Sequence, residues 1–161
     1  MRRPNRSRRK SRKMRVIHLW TYPDAMRAVP YLNRVIGSVR DEWLHLQRHQ
    51  LQAQRLAQRK PDRANLIGIE EAKRDMDRAS ESFRDSLREL RKIDVFLLDP
   101  IQGVAFIPFQ RDEELAWMIF DRFDDDGLIG WRWHKDPMDT RRPLSEIENL
   151  PPAISTETAE A

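Results

Sequence analysis

The sequence predicts an α+β fold: a long antiparallel helical hairpin, coiled-coil-like, followed by a small antiparallel β-sheet. Three observations predict it. From Thr21 to Ile93 apolar residues recur at alternating spacings of four and three, the signature of a narrow stripe along a helix. That pattern breaks at Arg59-Lys60-Pro61-Asp62, a turn-forming stretch. After Ile93 it gives way to short aromatic and β-branched runs bounded by Asp, Pro and Gly, which read as strands.

Residues 1–15 hold nine Arg or Lys and no acid. Such a segment buries no apolar surface and is expected to be disordered. Arg2, Arg3, Arg6, Arg8, Arg9, Lys10, Arg12 and Lys13 can serve as an arm for nucleic acid or another polyanion. The segment is otherwise a solvated tail, or Met14 is the true start and residues 1–13 are untranslated. No aromatic residue is interleaved there, so bases find no stacking platform. The chain's net charge is +4, so the remainder, without the tail's nine, carries −5. Val16 to Trp20 is a short apolar run, either a strand feeding the sheet or a staple against the first helical turn.

The first arm presents Ala25, Val29, Leu32, Ile36, Val39, Trp43, Leu46 and Ala53 in one register, with Gln50 interrupting it. Thr21 is the expected N-cap and Asp24 completes a capping box. Pro23 falls in the first turn, where its missing N–H costs nothing. Pro30 lies inside the pattern and is expected to kink the helix. The second arm repeats the register with Ile69, Ala72, Met76, Ala79, Phe83, Leu87, Leu90 and Ile93, behind Asp62 as N-cap. At ~1.5 Å per residue the first arm exceeds 50 Å, more than a small sheet covers. Its far end is a two-stranded coiled coil or half of a bundle completed by another chain. A second copy is therefore the expected partner, through a seam of Ile36, Val39, Trp43, Leu46, Met76 and Phe83.

Four strands follow: Asp94 to Leu98, Gly103 to Phe109, Leu115 to Phe123 and Leu128 to His134. Asp126-Gly127 reads as a two-residue hairpin turn. Pro108 marks its strand as an edge, or as ending there. Ser145 to Ala161 is rich in Pro, Glu, Ser and Thr and is expected to be disordered. Residues 16–144 thus form one expected domain between two tails.

Composition bounds the function. There is no cysteine, which excludes disulfides, thiolate metal sites and Cys nucleophiles. No apolar run reaches the length of a membrane span and the N-terminus lacks the apolar core of a signal peptide, so the expectation is a cytoplasmic protein with no membrane contact.

Several short motifs, in order, resemble a small bacterial family catalogued as domain of unknown function 2203. They are Trp20-Thr21-Tyr22-Pro23-Asp24-Ala25, Val29-Pro30-Tyr31-Leu32, Gly103-Val104-Ala105-Phe106-Ile107-Pro108, Trp133-His134 and Arg142-Pro143-Leu144. The resemblance spans about residues 18 to 144. Where the family has Asp before Phe-Pro, this chain has Ala105 and Ile107; its Leu-Cys-Trp strand appears as Trp117-Met118-Ile119-Phe120. The resemblance implies the hairpin-plus-sheet layout and no particular activity.

Three constellations can carry chemistry. Trp131, Arg132, Trp133 and His134 alternate along one strand, which sends the two Trp to one face and Arg132 and His134 to the other. With Arg141 and Arg142 close behind, Trp131, Trp133 and His134 form the candidate pocket for an anion; His134 with Asp136 or Asp139 can do acid–base work. The plainer alternative is core Trp with His and Arg bonded to loop carbonyls. His45 and His49 stand at i, i+4 and can pinch a metal, but lack the Glu of a zinc-protease helix. Asp121 to Gly127 fails as a calcium loop because Arg122 and Trp133 fall on ligand positions. With 5 Gly and no cluster of them, no nucleotide cradle is expected. The reading is a non-catalytic binding or scaffold protein, with no catalytic residue, cofactor or metal. A small ligand sensor or enzyme using His134 and Arg142 is the alternative, and nucleic acid enters only through residues 1–15.

Overall fold

The computed structural model describes residues 16–151, and the candidate polyanion arm, Arg2 to Lys13, lies outside them. Two helices, α1 (Tyr22–Ala57) and α2 (Arg63–Lys92), form the hairpin. Four strands follow, β1 (Phe96–Asp99), β2 (Val104–Arg111), β3 (Glu114–Asp121) and β4 (Leu128–Trp133). They pair as an antiparallel sheet in the order β1-β2-β3-β4. A short 3-10 turn, Leu144–Glu146, closes the described chain.

The expected helix ends are present for the expected reasons. Thr21 caps α1 by accepting from the Asp24 amide at 3.3 Å, and Asp62 caps α2 by accepting from the Asn65 amide at 2.7 Å. Each bond satisfies one of the amides that a helix start leaves without a partner. Pro30 sits within α1 without interrupting it. At its far end α2 closes in a Schellman motif. Asp94 is left-handed at φ 56; the Val95 amide bonds Leu90 O and the Asp94 amide bonds Arg91 O. Leu90 and Val95, the apolar pair of that motif, are both about 1% exposed.

Strand alternation gives the sheet two different faces. The inner face sets Ala105, Ile107, Phe109, Ala116, Met118, Phe120, Leu128 and Trp131 in one cluster with Ala25, Leu32, Val35, Ile36 and Val39 of α1 and Leu90 of α2. The outer face carries a smaller cluster of Phe106, Trp117 and Ile119. The main core therefore covers only the proximal hairpin. In α1 no residue beyond Val39 is buried, and in α2 only Ala72 and Leu90 are.

The run before α1 forms no strand; hydrogen bonds fasten it to β2 and to the end of α2. The Trp20 amide bonds Pro108 O at 2.8 Å, the Trp20 indole bonds Ile93 O at 2.9 Å, and the His18 amide bonds Asp94 Oδ2 at 2.9 Å. This also explains Pro108, which lies in a central strand and not at an edge. β1 pairs only with Val104, Ala105 and Phe106. At Pro108 the β1 side of β2 is already vacated, so the missing N–H disrupts no ladder bond there.

Two further expectations are corrected. Asp126-Gly127 is not a two-residue turn. The connection runs from Arg122 to Asp126, closed by Asp121 N–H to Gly127 O at 2.8 Å. The Asp run bonds the loop's own amides: Asp121 accepts from Phe123 and Asp124 accepts from Asp126. Arg122 leads away from this loop and lies across α1 at Gly37, bonding Asn33 O at 3.2 Å. A Cβ on Gly37 would stand 1.6 Å from its guanidinium, so a side chain there would displace the guanidinium from this position. Nor does order end at Ser145. Ile147 is 0% exposed in the main core, because the 3-10 turn redirects the chain inward.

The tight turn is elsewhere, at Asp112 and Glu113, between the paired residues Arg111 and Glu114. Both turn residues have positive φ, 50 and 64, the type I′ geometry that favours Asn-Gly. Left-handed backbone costs an ordinary residue about 1–2 kcal/mol. Asp112→Asn with Glu113→Gly is expected to stabilise the protein by about 1 kcal/mol, read as a raised denaturant midpoint at unchanged slope. A lowered midpoint would refute the turn assignment.

Candidate functional site

β4 distributes its side chains as alternation demands, and the consequence is that the candidate pocket residues separate. Trp131 and Trp133 face the core side. Trp131 is about 1% exposed, edge-on to Phe109 at 5.9 Å and to Trp133 at 5.0 Å. The Arg111 guanidinium stands 4.6 Å from the Trp131 ring centre and 5.8 Å from that of Trp133. Arg142 stands 5.5 Å from Trp131. The tryptophans are thus flanked by two guanidiniums, a favourable arrangement because the ring faces are electronegative.

Arg142 is committed to a carboxylate. Its Nε and Nη2 donate to the two Asp136 oxygens at 2.9 and 3.0 Å, a bidentate clamp. Its backbone exchanges two hydrogen bonds with Trp131, at 3.0 and 2.8 Å, so the chain after the loop lies along the open edge of β4. Arg142, and the Trp133 amide after it, hold the Asp136 carboxyl at about 2, well below the usual carboxylate range. Asp136 therefore stays ionised and is a poor proton acceptor near neutrality.

His134 turns to the outer face. Its Nδ1 accepts from the Trp117 indole at 3.0 Å, which leaves the neutral ring's proton on Nε2, and its amide bonds Leu115 O. Asp136 bonds Arg142 and Trp133, not His134, so the two do not form the acid–base pair that their spacing suggests. Arg141 is exposed. The structure gathers Trp131, Trp133 and Arg142 with Arg111 and Asp136, and places His134 with Trp117 and Arg132.

Sequence reasoning missed Arg111 and the burial of Arg132. Arg132 is 4% exposed. It donates to Asp136 O at 2.7 Å, and its guanidinium lies 5.2 Å from the Phe106 ring centre. No local signal marks a strand Arg for burial; it is buried because the loop carbonyls of residues 134 and 136 fold over it. Asp136→Asn should free this loop. Because the folded carboxyl titrates below its unfolded value, its stabilisation is present above about pH 4 and is lost as pH falls through about 2. An amide NMR titration should show Trp133 shifting with a midpoint near 2 in the parent, and no such shift in Asp136→Asn. A parent midpoint at the ordinary value would mean that the clamp is not formed.

The seam residues are largely occupied within the chain. Ile36 and Val39 are 0% exposed in the core, and the Trp43 and Phe83 rings meet at 5.2 Å. Leu46 and Met76 are half-buried. His45 and His49 line a hollow of about 510 Å³ between the helices, with Glu42, Asp75 and Arg78. Among the described residues no group of three His, Asp or Glu side chains is set to hold a metal ion, and no helix is long and apolar enough to cross a membrane. A second hollow, about 370 Å³, is walled by Trp20, Tyr22, Phe109, Ile147 and Leu150 at the start of α1. Burial, then the charges of Glu148 and Asp126, push the Tyr22 phenol up. Comparison with protein-family models, curated proteins and solved structures gives no match.

Proposed function

We propose that this protein is a non-catalytic cytoplasmic scaffold. The sheet and proximal helices form a rigid base, and the distal hairpin is an arm through which the chain associates with a second copy and with other proteins. One observation carries the reading. Leu44, Leu51, Leu66 and Ile67 are 38, 52, 55 and 53% exposed, all on the part of the hairpin that the sheet does not cover. Apolar side chains concentrated on an uncovered helical arm mark an interaction surface. The clamped state of Asp136 and Arg142, and the divergence of His134 from both, favour this reading over a ligand sensor or enzyme built on His134 and Arg142. The absence of cysteine agrees with a reducing compartment.

Because the internal seam is occupied, a second copy has the outer side of α2 available, where Leu66 and Ile67 lie off the Ile69–Ala72–Met76 register. Light scattering on the full chain at tens of micromolar should give twice the mass of the chain. Leu66→Asp with Ile67→Asp should return it to a monomer with unchanged helicity, since a charge left unpaired in an apolar contact is costly. A parent that is already monomeric removes self-association; a double variant that remains dimeric moves the contact elsewhere.

A further inference from the structure

From Trp43 to Lys60 the chain holds no carboxylate, but it holds Arg48, Arg55, Arg59 and Lys60. Leu44, Arg48, Leu51 and Arg55 fall at i, i+4, i+7 and i+11, one strip along α1. All four are exposed. Together with Arg59 they line a surface trough of about 670 Å³. Among the described residues none of these arginines has an ion-pair partner; the acid pairs of α1 involve Arg27 and Arg40, nearer the base. A helix C-terminus itself favours cations in its last turn. That accounts for Arg55 and Arg59, but not for Arg48, more than two turns before the end of the helix.

We propose that this strip is the docking face for an acidic amphipathic helix of another protein, which would complete a three-helix bundle on the arm. The inference rests on the scaffold reading and names the partner's chemistry. Leu44 and Leu51, seven residues and about 10.5 Å apart, match the heptad repeat of a helix laid alongside. Arg48 and Arg55 then flank the apolar line and select Glu or Asp on the partner. A second copy fits this strip poorly, because two of them face to face set Arg against Arg. A nucleic-acid backbone answers the arginines but leaves both leucines uncovered.

The test uses the full chain and a labelled synthetic helix with Leu at the two core positions of each heptad and Glu at the flanking ones. Its counterpart carries Lys for every Glu, and a duplex DNA is the third probe. The Glu helix should bind, more weakly as salt rises, and the Lys helix at least about tenfold more weakly. Arg48→Glu with Arg55→Glu should weaken the Glu helix by about tenfold or more, with the circular dichroism and solution mass of the parent. Equal binding of both helices, or binding indifferent to the double variant, overturns the proposal. DNA binding that the double variant abolishes makes the strip a nucleic-acid face and overturns it too. A chain that self-associates, loses this on Leu44→Asp with Leu51→Asp, and ignores the Glu helix has a second copy on the strip; the proposal then falls while the scaffold reading stands. A monomer that binds none of the probes removes both.

Discussion

Trp131→Ala is expected to destabilise the protein by about 3–5 kcal/mol, the range for emptying a buried large aromatic site. Its ring meets Phe109 and the Arg111 guanidinium of β2, Trp133 on its own strand, and the Arg142 guanidinium on the returning chain. Removing it leaves a cavity and withdraws the ring face from two cations at once. The neighbours cannot collapse inward, because Phe109 is held by its strand and Arg142 by Asp136. Trp131→Phe separates the contributions. It keeps much of the apolar contact and removes the indole nitrogen, which is buried with no hydrogen-bond partner among the described residues; that loss offsets part of the cost. The Phe variant should therefore lie much closer to the parent than the Ala variant in chemical denaturation. An Ala variant within about 1 kcal/mol of the parent would mean that the site relaxes, and that the tryptophan does not tie these elements together.

Ile147→Asp is expected to be at least as severe. Deleting a buried Ile side chain costs about 2–5 kcal/mol, and a carboxylate brought into the same apolar site adds its own desolvation penalty. At neutral pH the variant should be unfolded or nearly so. The introduced carboxyl titrates above its unfolded value, because burial disfavours the charged form. Its deficit should then shrink as pH falls toward the ordinary carboxylate range and grow as pH rises. Ser145→Asp, at an exposed position of the same turn, should leave the melting temperature unchanged. If the two variants melt alike, the segment after Leu144 is not part of the core.

That second expectation concerns a segment whose composition points the wrong way. Ser145 to Ala161 reads as disordered because its average is polar, yet the average conceals Ile147. Ile147 is placed by a 3-10 turn and by the Arg142–Trp131 backbone pairing ahead of it, neither of which composition records. The Asp112-Glu113 turn was hidden for a related reason. Its residues are not those the geometry prefers, and the pairing of β2 with β3 imposes positive φ on them. Arg132 escaped notice because an arginine on a strand is ordinarily exposed, and only the fold of the following loop shields it.

By itself the sequence determined what depends on near neighbours along the chain: the two helical arms, their Thr21 and Asp62 caps, four strands in order, and an α+β architecture. Periodicity and capping act within a few residues, so they are legible in one dimension. The partner of each group is set across long chain separations, and this only the tertiary structure decided. A heptad seam looks the same whether its complement is another chain or the second arm of its own hairpin; here Trp43 meets Phe83 and Val39 meets the sheet core. The Trp-Arg-Trp-His run looks like a pocket until strand alternation and the returning loop take hold. The physical reason is that charge and hydrogen-bonding capacity are finite. Once Arg142 is clamped by Asp136 and His134 accepts from Trp117, the groups that looked convergent in sequence are engaged on opposite faces of the sheet.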